Sequence, residues 1–360
     1  MPQYPALVGG QTLEIDFAPC IVVLVLYGLL LPWIAYRMLT KGSRNTYLIG
    51  TASFATERIV VFGLRAAHAP KGPSALPLMS YFQISYAVGY TGIVNDVLSI
   101  IRVLIVNPTY GSETYPQSPA AENSRATRVP PDTSVIIPPG DFRGPPPEGT
   151  EDLPRTRFWA RRFVDIMGLL FLGLVSIPGL VGNTKLQSVY GSVKEGDKSM
   201  VIRYVSAGGA LVLMLAMLAA IIWARIKLAR VSTNGAIILA IAHSFLVIVP
   251  IYRLAVMYNF VDSPDSTAPG SLNSPKDKAL FYAFHVVPEW LTCATLFIFN
   301  IRKILATGLS GDWRAVDESE KERVKRELKE QEKREKKAAK AAQSQGYIGS
   351  TTPTSATENV

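Results

Sequence analysis

Residues 17 to 39 read FAPCIVVLVLYGLLLPWIAYRML, 23 residues whose only charge is Arg37, close to the end. A run of that length at 1.5 Å per residue matches ~30 Å of hydrocarbon, whereas a buried helix of a soluble domain is usually shorter and polar along one face. The same kind of run recurs. Hydropathy places further spans at 47–64, 78–106, 163–181, 201–223, 236–257 and 279–301. The second is interrupted by Glu57 and Arg58, and a re-entrant or interfacial segment is its alternative. The composition agrees. Charged residues make up 18% of the chain and mean hydropathy is +0.21, against about 25% charged residues in a soluble domain.

The expected fold is therefore an all-α integral membrane bundle of seven transmembrane helices. Basic residues give its orientation, because cytoplasmic loops carry the excess of Lys and Arg. With the N-terminus outside, 27 of them fall on the cytoplasmic side and 8 on the other. The net charge of +9 then reflects this bias, and no nucleic-acid partner is expected. The chain divides into an extracellular or lumenal segment 1–16, helices one to three over 17–106, a cytoplasmic loop 107–157, helices four to seven over 158–304, and a cytoplasmic tail 305–360.

The loop holds eleven prolines and almost no periodic apolar residues, and is expected to be disordered. NPTY at 107–110 has the form of an endocytic adaptor signal, though Pro108 also simply ends a helix. The tail stretch DESEKERVKRELKEQEKREKKAAK, 317–340, is expected to be a solvated charged helix with acid-to-base pairs Glu322 to Arg326, Glu330 to Arg334 and Glu332 to Lys336. Its basic residues suit anionic lipid headgroups. Residues 1–16 lack a basic n-region and an apolar h-region, so no cleaved signal is expected. Cys20 and Cys293 both fall inside spans and offer no extracellular disulfide.

Charge inside the membrane is costly and marks candidate sites. The candidates are Glu57, Arg58, Asn95, Asp96, Arg253, His285 and Glu289. Their order along alternating spans predicts the pairs Arg253 with Glu289 and Asp96 with Arg58. It makes His285, one turn shallower than Glu289, the bridge between Arg253 and Glu289. Asn95 and Ser99, also one turn apart, are expected to make helix-packing hydrogen bonds. Pro250 and Pro288 are expected to bend their helices beside this cluster, Pro288 freeing the Phe284 carbonyl. No metal or cofactor is expected. His243 and His285 have no thiolate cluster beside them, and P-loop, GxSxG, HExxH and dinucleotide motifs are missing from the sequence, so no enzyme activity is expected.

IYR at 251–253 followed by FYAFHVVPEWLTCATLFIFN at 281–300 resembles the end of the fungal lipid-translocating exporter-like family. These seven-span proteins are associated with resistance to toxic amphiphiles and with sphingoid-base movement. Arg253, Phe281, Tyr282, Phe284 and Pro288 match its pattern. Val256 and His285 stand where the family carries acidic residues, and Glu289 is a replacement carboxylate one turn deeper. The resemblance covers about fifty residues and is that of a divergent relative, a fungal multi-pass membrane family of unknown function being the alternative. It implies a translocator of a lipid or other amphiphile, and the plasma membrane is expected as its location in preference to an internal membrane. A seven-helix receptor or sensor and a structural scaffold are the alternatives. The receptor lacks an acid-arginine motif at the inner end of span three, where Arg102 has no acidic sequence neighbour, and a retinal pigment lacks a lysine within span seven.

Overall fold

The computed structural model describes residues 4–122, 144–184 and 186–348. The helices are α1 (Phe17–Leu39), α2 (Ile49–His68), α3 (Leu76–Val88), α4 (Thr91–Val106), α5 (Pro154–Phe171), α6 (Ile177–Thr184), α7 (Leu186–Gly191), α8 (Val193–Lys227), α9 (Thr233–Val256), α10 (Pro275–Phe281), α11 (Val287–Ile298), α12 (Ile301–Ile304) and α13 (Glu320–Ile348). Several of these run on into one another. Six resulting rods are long and apolar enough to cross a membrane: Glu14–Leu39, Leu76–Thr109, Pro154–Thr184, Val193–Lys227, Thr233–Val256 and Pro275–Ile298. The chain is a multi-pass membrane protein. Leu29, Leu39, Leu169, Val212 and Ile226 lie exposed on the outside of the rods, a surface suited to lipid and unsuited to water.

Helix α2 is not among the six, because Glu57, Arg58 and Arg65 interrupt it. It nevertheless packs against α1 and α4, and Arg58 and Arg65 are fully buried. Helix α4 lies at the centre, touching α2, α5, α8 and α9. Its approach to α2 is backbone to backbone: a Cβ on Gly50 would sit 2.5 Å from the Gly92 carbonyl oxygen, so only glycine allows this spacing.

The rod Leu76–Thr109 is interrupted at Gly89 and Tyr90, between α3 and α4. Two other rods contain π turns, Leu172–Ser176 and Tyr282–Val286, each followed two residues on by a proline, Pro178 and Pro288. Proline clashes with the carbonyl four residues before it. Widening the preceding turn, with Ile177 N–H donating to the Leu172 carbonyl and Val287 N–H to that of Tyr282, makes room for each ring.

The loop expectation needs correction at both ends. Residues 107–122 and 144–157 fold back on the bundle, and 123–143 fall outside the described residues. Arg157 holds Asp152 at 3.0 Å, and Asp152 accepts from Gly111 N and Thr114 Oγ1. Tyr110 is fully buried, with the Arg157 guanidinium 4.2 Å above its ring. NPTY therefore ends a helix and presents no accessible tyrosine. Partial burial opposes ionisation of Asp152, but the hydrogen bonds from Arg157, Thr114 and Gly111, with the Arg157 charge, outweigh it and hold its carboxyl below the usual aspartate value.

The chain forms two compact units, Met1–Ala315 and Val316–Val360, so residues 305–315 belong with the bundle and not with the tail. Asp312 takes a bidentate grip from Arg161 (2.9 and 3.1 Å) and a third bond from Arg102 (3.2 Å). Arg102 also pairs with Asp165 at 3.0 Å, so it does have acidic neighbours, supplied from elsewhere in the chain. Among the described residues the second unit holds helix α13, whose first turn is capped by Glu322 accepting from Ser319 N and Oγ. Arg326 pairs with Glu318 at 3.0 Å and Glu330 at 3.7 Å.

Candidate functional site

Arg58 is the hub of the buried polar network. Its Nε and Nη2 donate to the two oxygens of Glu289 at 3.0 and 2.9 Å, and Nη1 donates to Glu57 (3.1 Å) and to Ser85 Oγ (2.5 Å). Ser85 Oγ in turn donates to Glu57 at 2.6 Å. The guanidinium stacks 4.3 Å from the Phe54 ring. Arg58 and Glu289 are fully buried, while the Glu57 side chain is 31% exposed. Gly89 leaves the space Arg58 occupies, since a Cβ there would lie 3.2 Å from Nη2.

Both expected pairings are thus corrected. Glu289 pairs with Arg58 and not with Arg253. Arg253 instead donates from Nη1 to the Tyr86 carbonyl at 2.9 Å, while Arg58 Nη2 reaches the Ser85 carbonyl at 3.3 Å. These carbonyls lie at the break between α3 and α4, where a bilayer offers no water to receive them. Asp96 does not meet Arg58. Its carboxylate accepts from Thr51 N and Oγ1 at 2.5 and 2.6 Å, in the first turn of α2, where backbone N–H groups have no partner in their own helix. His285 Nδ1 stands 3.6 Å from Glu289, beyond a hydrogen bond, and is no bridge to Arg253. Asn95 is exposed on α4, outside the network, and Ser99 Oγ bonds the Asn95 carbonyl of its own helix. His243 lies 2.8 Å from the Met214 carbonyl, linking α9 to α8.

A second network escaped the sequence reading. Residues 4–12 form a plug across one end of the bundle. Tyr4–Pro5 pairs antiparallel with Phe260–Val261, and Val8 exchanges two hydrogen bonds with the Gln83 side chain. Leu7, Val8, Gln11 and Thr12 are buried. Asp16 binds Arg65 (3.1 Å), Lys278 (2.9 Å) and the Tyr282 hydroxyl (2.9 Å). Arg65 and Lys278 also donate to the plug carbonyls of Gly9 and Gln11. Gly9 has φ +74°, and a Cβ there would meet the Phe281 ring at 2.8 Å. The available signals were Gly9-Gly10, whose adjacent glycines permit that backbone, and Asp16, a carboxylate one residue before an apolar run.

Far from the plug, a groove of about 600 Å³ opens on the lipid-facing surface where α5 begins and α8 ends. Ala216, Ala219 and Ala220 of α8 form its floor, and Trp159, Phe163 and Trp223 its walls. Arg155 and Thr156 lie at the α5 terminus that lines it. Such a volume suits an acyl chain, and the aromatic and basic residues are those that favour the membrane–water boundary.

No family model matches the chain, and no curated protein or solved structure matches it.

Proposed function

We propose that the protein binds and translocates a lipid or other amphiphile, as a bundle of seven membrane-crossing helices with its N-terminus outside and its C-terminus in the cytoplasm. The seventh span is α2. Its 20 residues reach ~30 Å, and its two arginines are fully buried among other helices. The observation that carries the reading is the groove beside Ala216, Ala219 and Ala220, apolar along its length and basic at Arg155. It fits one chain of an amphiphile whose polar head stays at the boundary. The resemblance at 251–253 and 281–300 to the lipid-translocating exporter-like family supports the same reading, and the plasma membrane is the location we propose for it.

The test is transbilayer movement of fluorescent phospholipid and sphingoid base in vesicles holding the purified protein. Ala219 is exposed, so Ala219→Trp fills the groove without disturbing the core. The wild type is expected to move label and the variant to lose most of that movement at equal reconstitution. A wild type no faster than empty vesicles sinks the translocator. An Ala219→Trp variant as fast as wild type removes the groove from it.

A further inference from the structure

The charges buried toward the plug do not balance. Arg58, Arg65, Arg203, Arg253 and Lys278 are all buried there, against Asp16, Glu289 and the partly exposed Glu57. Asp16 and the two glutamates are taken up by Arg65, Lys278 and Arg58. Arg203 and Arg253 are left with one backbone carbonyl each, Ala6 at 3.3 Å and Tyr86 at 2.9 Å. Among the described residues no carboxylate forms an ion pair with either, and no aromatic ring stacks on them. Both are 1% exposed. They belong to the packed helices α8 and α9 and lie at the same level of that pair, since Arg203 is eleven residues from Met214 and Arg253 ten residues from His243, on the same side of the 2.8 Å contact between those two.

Unpartnered hydrogen-bonding groups gather at the same place. Arg203 Nε, the Tyr90 hydroxyl and both ring nitrogens of His285 are buried without a hydrogen-bond partner among the described residues. Arg253 reaches the Tyr86 carbonyl, four residues before Tyr90, and the His285 ring lies 5.7 Å from that of Tyr86 and 6.1 Å from that of Tyr252, the residue beside Arg253. A water molecule would satisfy such donors but leave the charge unanswered. A buried cation without a countercharge is strongly unfavourable, and an oxyanion answers both needs at once, because guanidinium donors match its geometry.

We infer that Arg203 and Arg253, with Tyr90 and His285 beside them, form a binding site for an oxyanion of the phosphate class beneath the N-terminal plug. The plug shares in it, since the Ala6 carbonyl is the acceptor that Arg203 now holds. The site is separate from the lipid-facing groove: Arg203 and Trp223 are twenty residues apart on α8, or about 30 Å.

Thermal unfolding of the purified full chain in a neutral maltoside detergent tests this. Inorganic phosphate is titrated against sodium chloride of equal ionic strength, and dihexanoyl phosphatidic acid against uncharged dihexanoylglycerol. A saturable rise in Tm of several degrees with either phosphate compound over its control is expected. A response to inorganic phosphate identifies a free-ion site, and a response to phosphatidic acid alone identifies a headgroup site. Arg253→Gln and Arg203→Met are expected to lose the rise. Arg203→Met, which removes one of two uncompensated charges, is expected to melt no lower than wild type in phosphate-free buffer, so it serves even if Arg253→Gln does not fold. No rise with either phosphate compound, or a rise kept in Arg203→Met, overturns the site.

Discussion

The two ends of the bundle treat most of their buried arginines in opposite ways, Arg302 being the exception at the end where α4 stops, where the Thr307, Lys41 and Arg44 carbonyls hold it. Where α4 ends and α5 begins, Arg102, Arg157 and Arg161 meet Asp165, Asp152 and Asp312, carboxylate for guanidinium. Toward the plug, five cations share three carboxylates, and the backbone carbonyls of Ala6, Gly9, Gln11, Ser85 and Tyr86, with the hydroxyls of Ser85 and Tyr86, supply further acceptors. Carbonyls satisfy N–H donors without cancelling charge. One end is therefore dominated by closed ion pairs that fix loop segments to helices, and the other keeps a positive field in a low-dielectric interior.

The largest effect expected along this contrast is that of Glu289→Gln. Arg58 then loses the bidentate partner it holds at 2.9 and 3.0 Å, and breaking a buried pair costs about 3–5 kcal/mol. Yield in the membrane and Tm are expected to fall together; normal values for both would show that the plug end tolerates still more uncompensated charge than it already holds. Asp312→Asn at the opposite end removes the carboxylate shared by Arg161 and Arg102. Hydrogen bonds to charged groups contribute about 1.5–3 kcal/mol each, and a loss in that range, with faster hydrogen exchange over 305–315, is expected. Gly10→Ala strains a residue at φ +63° by about 1–2 kcal/mol and also drives a Cβ against the Leu272 carbonyl. It should loosen the plug, seen as proteolysis near residue 12, and leave the other end unchanged.

The smallest effect is a pH dependence confined to the loop. Asp152 has its carboxyl held below the ordinary value, so its contribution is present above about pH 4 and is lost as pH falls through the lowered value. Hydrogen exchange at 109–115 is expected to quicken on acidification below that point in the wild type, and to be fast and flat with pH in Asp152→Asn. An acid response that survives Asp152→Asn would place its origin in another group.

Hydropathy alone locates the rods, and α1 has the bounds Phe17–Leu39 that it gives. It works because lipid imposes length and apolarity on each rod separately. Pairing is a different matter. Arg253 and Glu289 looked like partners because linear order gives depth along an axis, but not rotation about it. The break at Gly89–Tyr90 and the π turn at Tyr282–Val286 both alter which way later residues face. Asp96 was misread because the helix end it serves belongs to another rod, and no spacing within a single rod reveals that. The plug and the Asp312 contacts were invisible for a related reason: neither segment has a periodic apolar pattern, and both are held by hydrogen bonds and charge.

The π turn in the last rod acts on everything downstream of it. Each residue of an α-helix advances the face by about 100°, so the one additional residue in a widened turn sets the phase in which Glu289, Thr292 and Cys293 look inward, all three being buried. Deleting a single residue between 282 and 286 would spare every one of those side chains and still swing the carboxylate round toward lipid. Length is thus itself an encoded quantity at this point of the chain, and a reading-frame-preserving loss of one codon there is expected to be as disruptive as replacing Glu289.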